Sequence, residues 1–317
     1  MNFIFLTYVN RSGSTYLANL LDSSPKILAC PEGDVLVTLL LENPGGAFNF
    51  NDRIKSRLIN IFSTDPKLKS WGEGKSLLTG LDESKTNLEA FFSILINYKN
   101  QVKQDADFIL FKAERIIYLV RKIQKINLEH NIRFISIIRD PRAVFASQKR
   151  TFYPGTSNVM SNSAVKLANC WKRFVSLSYL FNGKNFLIIR FEGLIADYMA
   201  SFNFLSEFFR IELAEVSPEK GNLLKRMPAF QVNIHNHIQK KPLIRKIDEW
   251  KNELTSQEIF MIEKVSGKFL FVAGYNAINN KPGLKIYFFT VFQTYNLHFK
   301  KFLKKVNFHV SRVFNLK

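Results

Sequence analysis

The chain has 317 residues, of which 46% are hydrophobic and 22% charged. That is enough apolar material for one large α/β domain and too much for a disordered chain. Basic residues outnumber acidic ones by 19. Such an excess suits an anionic ligand, a nucleic acid or an anionic membrane, and a Lys-rich composition without function gives the same number. Cys30 and Cys170 are the two cysteines and the five histidines show no ligand spacing, which excludes a disulfide framework and a Cys-rich zinc site.

Residues 2–9 are apolar, but too short and too uncharged at the front for a signal peptide. No apolar run reaches the ~18 residues that would span a bilayer, so the chain reads as cytoplasmic. Residues 3–9 instead read as a buried parallel strand. A polar loop, Asn10-Arg11-Ser12-Gly13-Ser14-Thr15, follows, and Leu17, Leu20 and Leu21 then continue at helical spacing. Strand, Gly-containing loop and helix make the first half of a βαβ unit. A short apolar stretch at 27–29 precedes Cys30-Pro31-Glu32. Residues 43–84 are rich in Asn, Gly, Ser and Lys, and read as an irregular insertion or lid.

Helical periodicity returns at 88–95. Residues 107–111 form a strand and 114–128 a helix. Residues 133–138 are the clearest strand, ended by Asp140-Pro141, an N-cap and first-turn pair that opens a further helix. A helix over 161–180, a strand over 185–191 and helices near 197–210 and 255–265 complete the body. Short apolar strands alternating with helices predict a three-layer α/β fold: a parallel sheet of the P-loop type with helices on both faces. That body is expected to run from 1 to 278.

Residues 279–317 form a distinct tail. No acidic residue follows Glu263. Phe288, Phe292, Tyr295, Phe299 and Phe302 fall on one helical face, flanked by Lys300, Lys301, Lys304 and Lys305. A basic amphipathic helix of this kind lies on an anionic membrane such as the inner membrane face, or packs its stripe on protein.

Two segments carry chemistry. Backbone N–H groups at the helix start after Asn10–Thr15 make an anion site. Gly13 allows close approach, Ser14 and Thr15 add hydroxyls, and Arg11 adds a charge. The nucleoside-triphosphatase form of this loop needs Gly-Lys-Ser/Thr. Ser14 follows Gly13 here, which disfavours a metal-dependent hydrolase. Arg139 lies at the carboxyl end of the strongest strand, where α/β sheets place ligands. Ser147 lies two turns up the next helix, and the pair suits a second phosphate.

FLTYVNRSGSTYLANLLDSSP and FISIIRDPRAVFAS together resemble the two phosphate motifs of the sulfotransferases that use 3′-phosphoadenosine 5′-phosphosulfate (PAPS). RFEGL at 190–194 is similar to a later motif of that family, with Phe191 in place of its usual Tyr. The Trp250 helix and Gly274-Tyr275 resemble its late segment. The likeness runs from residue 3 to about 275. It implies that Arg11, Ser12, Gly13, Ser14 and Thr15 hold the 5′-phosphosulfate, with Arg11 steadying the bridging oxygen. Arg139 and Ser147 would take the 3′-phosphate and Phe191 would pack near adenine, with no metal required. Where relatives carry a basic residue before Trp250, this chain has Asp248 and Glu249; Lys240, Lys241 and Arg245 are the substitutes at hand.

A base must take the proton of the acceptor hydroxyl. Glu32 resembles the Glu base of tyrosylprotein and carbohydrate sulfotransferases. Glu114, in Lys112-Ala113-Glu114, stands where cytosolic sulfotransferases have His, and Lys112 could touch the sulfuryl group in either case. His235 and His237 read as surface loop residues. The function implied is sulfuryl transfer to a hydroxyl, with a glycan or glycolipid as the expected acceptor. The alternatives are a small-molecule kinase with an unusual loop, or a non-enzymatic basic protein that binds membrane or nucleic acid; nucleic acid is disfavoured.

Overall fold

A computed structural model describes residues 1–41, 50–125, 130–153, 155–213, 216–235, 238–240, 244–278 and 292. The predicted tail helix, Phe292 excepted, and His237 lie outside the described residues. The chain divides into two compact units, one of residues 1–139 and 177–247, the other of 140–176 with the chain from 248 onward.

The first unit is built on five parallel strands: β1 (Asn2–Tyr8), β2 (Ile27–Ala29), β3 (Phe108–Lys112), β4 (Asn131–Ile138) and β5 (Phe186–Arg190), in the order β2-β3-β1-β4-β5. Strand alternation sends side chains to two different cores. Ile4, Leu6, Phe108, Leu110, Ile135, Ile137, Leu187 and Ile189 pack with Leu17, Leu20 and Leu21 of the helix Ser14–Asp22, and with Phe202, Leu205 and Phe209 of the helix Tyr198–Phe209. The other face is aromatic. Phe3 meets Phe92 at 4.3 Å, Phe5 meets Phe91 at 6.1 Å and Phe134 meets Phe186 at 6.0 Å, with Phe91 and Phe92 on the helix Asn87–Val102. Helices therefore cover both faces of a parallel sheet, as the strand pattern predicts. No helix among the described residues is long and apolar enough to cross a membrane.

Two expectations are corrected. Residues 50–84 are not irregular: they hold helices Asp52–Thr64, Pro66–Lys69 and Gly74–Leu77 and a 3-10 turn Leu81–Glu83. Ile54, Leu58 and Phe62 form a buried stripe narrow enough to be lost among polar neighbours, and Asn51 caps the first helix by accepting from the Ile54 N–H. The helix expected over 114–128 begins as a 3-10 turn, Glu114–Tyr118, before the α-helix Val120–Lys125. The Glu114 carbonyl accepts from the Thr7 hydroxyl at 3.1 Å, which gives that group a partner outside the helical ladder.

Polar bonds fasten the chain beneath β2. Asp22, 2% exposed, accepts from the Ala29 N–H at 2.9 Å, the Asn222 N–H at 3.0 Å and the Arg226 guanidinium at 2.5 Å. Lys103 Nζ donates to the carbonyls of Asp22, Ser24 and Ile27.

In the second unit, Asp140 caps the helix Pro141–Arg150 and Arg142 is the hub. Its guanidinium bonds Asp140, Glu263 and the Asn276 carbonyl and lies 4.1 Å from the Trp250 ring.

Asp22→Ala takes the carboxylate from Arg226, which keeps the Ala29 carbonyl, and from the N–H groups of buried Ala29 and of Asn222. It should cost about 3–5 kcal/mol, read by urea unfolding at neutral pH; a loss under ~1 kcal/mol would show that the network adds little.

Candidate active site

Every feature of the first unit described in this section, except Lys67, lies near the carboxyl end of a strand or on a segment packed there. The loop after β1 turns sharply. Arg11 has φ 74° and Gly13 φ 87°, and the Ser12 N–H bonds the Val9 carbonyl at 3.1 Å. Left-handed residues in a turn gather N–H groups toward an anion, and the helix Ser14–Asp22 adds its positive end. Gly13 is required twice over. Its φ favours glycine, and a Cβ there would lie 2.2 Å from the Phe191 ring.

Phe191 continues the arrangement. The Arg139 guanidinium lies 4.7 Å from its ring centroid, and Arg139 Nη1 donates to the Arg11 carbonyl at 3.1 Å. The last residue before β4's turn thus holds the β1 loop in shape. Phe191, expected beside adenine, has a role inside the protein as the wall behind Gly13.

Lys112 ends β3 with its side chain fully buried. Alternation places it on the face of Phe108 and Leu110, where an aliphatic residue would ordinarily sit. Its ammonium donates to Thr15 Oγ1 at 3.2 Å and Glu32 Oε1 at 2.5 Å, and lies 5.4 Å from the Tyr8 ring. Glu32 Oε2 accepts from Lys67 Nζ at 2.9 Å and Gln231 Nε2 at 2.5 Å. Burial would raise the Glu32 pKa, but Lys112 and Lys67 outweigh it and hold the carboxyl well below the usual range. The resting carboxylate is therefore ionised and doubly paired.

Glu114 is the opposite case. It accepts from Asn10 Nδ2 at 2.9 Å. Burial, with the Asp34 charge nearby, pushes its pKa up to about 7, in the range of a general acid or base at neutral pH.

His235 corrects a further expectation. It is not a surface loop residue but half-buried at the end of the helix Ala229–Ile234. Burial, then the charges of Lys112, Arg11 and Lys67, push its pKa down to about 3, so it is neutral at physiological pH.

Of the residues expected from sequence, the first unit brings together Arg11, Ser12, Gly13, Ser14, Thr15, Glu32, Lys112, Glu114, Arg139 and Phe191. Ser147 belongs to the second unit, 5% exposed on the helix Pro141–Arg150. His235 and, without any sequence signal that singled them out, Lys67, Gln231 and Asp34 join the Glu32 surroundings.

The sequence matches the model of the sulfotransferase family over residues 4–215. The chain belongs to the sulfotransferase family. Its fold is similar to the sulfotransferase domain of the Synechococcus PCC 7002 olefin synthase, with TM-score 0.61 at 14% identity over 87% of this chain and 95% of that one. It is also similar to the sulfotransferase domain from the curacin biosynthetic pathway, with TM-score 0.57 at 12% identity over 87% and 98%. No curated protein matches the sequence. Family membership decides against the kinase and the non-enzymatic readings.

The raised Glu114 pKa has a consequence for stability. The folded state holds this proton more tightly than the unfolded chain, so the stabilisation is full below the ordinary carboxylate pKa of ~4.3 and is lost as pH rises through about 7. Glu114→Gln removes that dependence. Between about pH 5 and pH 8 the wild-type Tm should therefore fall relative to the variant; parallel Tm curves would show that Glu114 titrates normally.

Proposed function

We propose that this sulfotransferase uses PAPS as donor and a hydroxyl compound as acceptor. The observation that carries the reading is Lys112, whose buried ammonium bridges Thr15 of the anion-binding helix start and the Glu32 carboxylate. A phosphosulfate at that helix start would meet a fixed cation on one side and a carboxylate just behind it. The fit is supported by the left-handed Arg11 and Gly13, a turn of the kind that gathers backbone N–H groups toward an anion.

When bound, PAPS supplies an activated sulfuryl group, and its transfer leaves adenosine 3′,5′-bisphosphate. This chain's residues do the rest. Ser12, Gly13, Ser14 and Thr15 would bind the 5′-phosphosulfate through N–H and hydroxyl groups. Arg11 and Lys112 would offset negative charge on the oxygen that leaves. Glu32 would accept the hydroxyl proton. Arg139 and Ser147 would hold the 3′-phosphate, and Phe191 would lie on the adenine side; for this pair and for Phe191 the support is the RDPR and RFEGL sequence spacing. A second reading of the base rests on Glu114, whose pKa of about 7 matches that role better in the resting protein.

A glycan or glycolipid is the acceptor we favour, on the resemblance of Cys30-Pro31-Glu32 to Glu-base sulfotransferases. Transfer of labelled sulfate from PAPS across glycan, glycolipid, phenol and peptide hydroxyls tests it.

Adenosine 3′,5′-bisphosphate should bind in the presence of chelator and raise Tm, and Arg139→Ala should weaken that binding by about 1.5–3 kcal/mol. Equal binding of ATP by calorimetry would defeat the donor assignment.

Glu32→Gln should keep nucleotide affinity and lower turnover by ~10²-fold or more. With Glu114→Gln assayed in parallel, a near-normal Glu32→Gln rate and a slow Glu114→Gln rate would transfer the base to Glu114.

A further inference from the structure

The two oxygens of Glu32 have different company. Oε1 takes its bond from Lys112 alone among the hydrogen bonds described, and Oε2 takes two, from Lys67 and Gln231. Lys112 also reaches Thr15 at the helix start. Lys67 reaches the opposite way, to Asp34 at 3.5 Å.

The donors to Oε2 are firmly seated. Lys67 sits on the helix Pro66–Lys69, whose cap Asp65 accepts from the Lys67 and Leu68 N–H groups at 2.9 and 3.0 Å. Leu68 is fully buried and Trp71 is 2% exposed. The Trp71 ring packs 4.8 Å from Tyr98 and 6.3 Å from Phe111. It also closes on the residue after Glu32, since a Cβ on Gly33 would lie 3.0 Å from it. Gln231 is 4% exposed on the helix Ala229–Ile234.

We propose that Lys67 and Gln231 are positioning residues, which anchor Glu32 by Oε2 and leave Oε1 as the oxygen that takes the acceptor proton once Lys112 turns to the transferring group. This rests on the reading of Glu32 as the base. In that step the acceptor oxygen bonds sulfur as the bond from sulfur to the 5′-phosphate oxygen breaks, adenosine 3′,5′-bisphosphate leaves with that electron pair, and the hydroxyl proton arrives on Oε1. Oε2 keeps both of its donors throughout. The segment 50–84, which carried no readable pattern, thereby acquires a role through one lysine.

The charged and titratable groups acting on Glu32 are Lys112 from β3, Tyr8 from β1, Lys67 from its short helix, Asp34 two residues on, and His235 just after the helix that carries Gln231. Lys67 is one of the two cations that oppose burial, so its loss must raise the Glu32 pKa.

The test uses the full chain without nucleotide, with ¹³C-carboxyl-labelled glutamate followed by NMR. Glu32 is assigned by the signal missing from Glu32→Gln. Lys67→Met should raise the Glu32 midpoint by about 1–3 units, Gln231→Leu should raise it less, and Lys67→Arg should restore it. In sulfate transfer, the acid limb of the kcat profile should move upward by the same shift. The plateau should fall about 10-fold as the carboxylate loses its place, with the KM for PAPS unchanged. An unmoved midpoint in a variant with wild-type circular dichroism overturns the proposal, and so does a raised midpoint with an unmoved acid limb. Should Lys67→Met fail to fold, Gln231→Leu carries the same two readouts. Absence of sulfate transfer by the wild type would instead defeat the functional reading, and the NMR titration would still report whether Lys67 and Gln231 govern Glu32.

Discussion

A fully buried ammonium at the end of β3 sets the terms for the rest of the site. Moving such a charge out of water costs several kcal/mol unless fixed partners replace the lost hydration. Lys112 finds them on three other segments: the helix start at Thr15, the stretch after β2 at Glu32, and the ring of Tyr8 on β1. Each partner is tied in turn. Glu32 is held by Lys67 and Gln231, and the helix start follows the Gly13 turn walled by Phe191. One charge on an apolar strand face thus organises three neighbouring segments.

The local charge balance differs from that of the whole chain. The protein carries nineteen more basic than acidic residues, but this region gathers Glu32, Asp34 and Glu114 beside Lys112, Lys67 and Arg11. The carboxylates are also made unlike one another. Two lysines hold Glu32 ionised, and burial keeps Glu114 near neutrality. Environments that push two carboxyl groups apart are how proteins divide acid and base roles among identical side chains.

Local features were legible in the sequence and distant pairings were not. The strands, the Gly13 turn and the Asp140 cap depend on neighbours within a few residues, so runs, turns and caps announce them. Arg11, Lys112, Glu32, Glu114 and Arg139 were marked because they follow or end readable strands. Lys67 gave no such sign. It sits after a helix cap in a Lys-rich stretch, and its value comes from Glu32, which the chain brings to it across the first unit. Gln231 was hidden for the same reason, and His235 reads as a surface loop residue, because both follow segments of short helix and 3-10 turn with little periodicity. Helix Asp52–Thr64 was overlooked because its buried stripe is only Ile54, Leu58 and Phe62.

The wall behind Gly13 also orders events during synthesis. Phe191 is made long after Gly13, and β1 is paired on both sides by strands, β3 and β4, that are themselves made well after it. Until they emerge, the apolar β1 has an open edge on each side, and until Phe191 follows, the turn after it lacks its backing. A chain of this topology is exposed to misassociation until those strands pair. Residues 1–41 released alone would have the whole Asn10–Thr15 loop and neither the ring nor the guanidinium that shapes it.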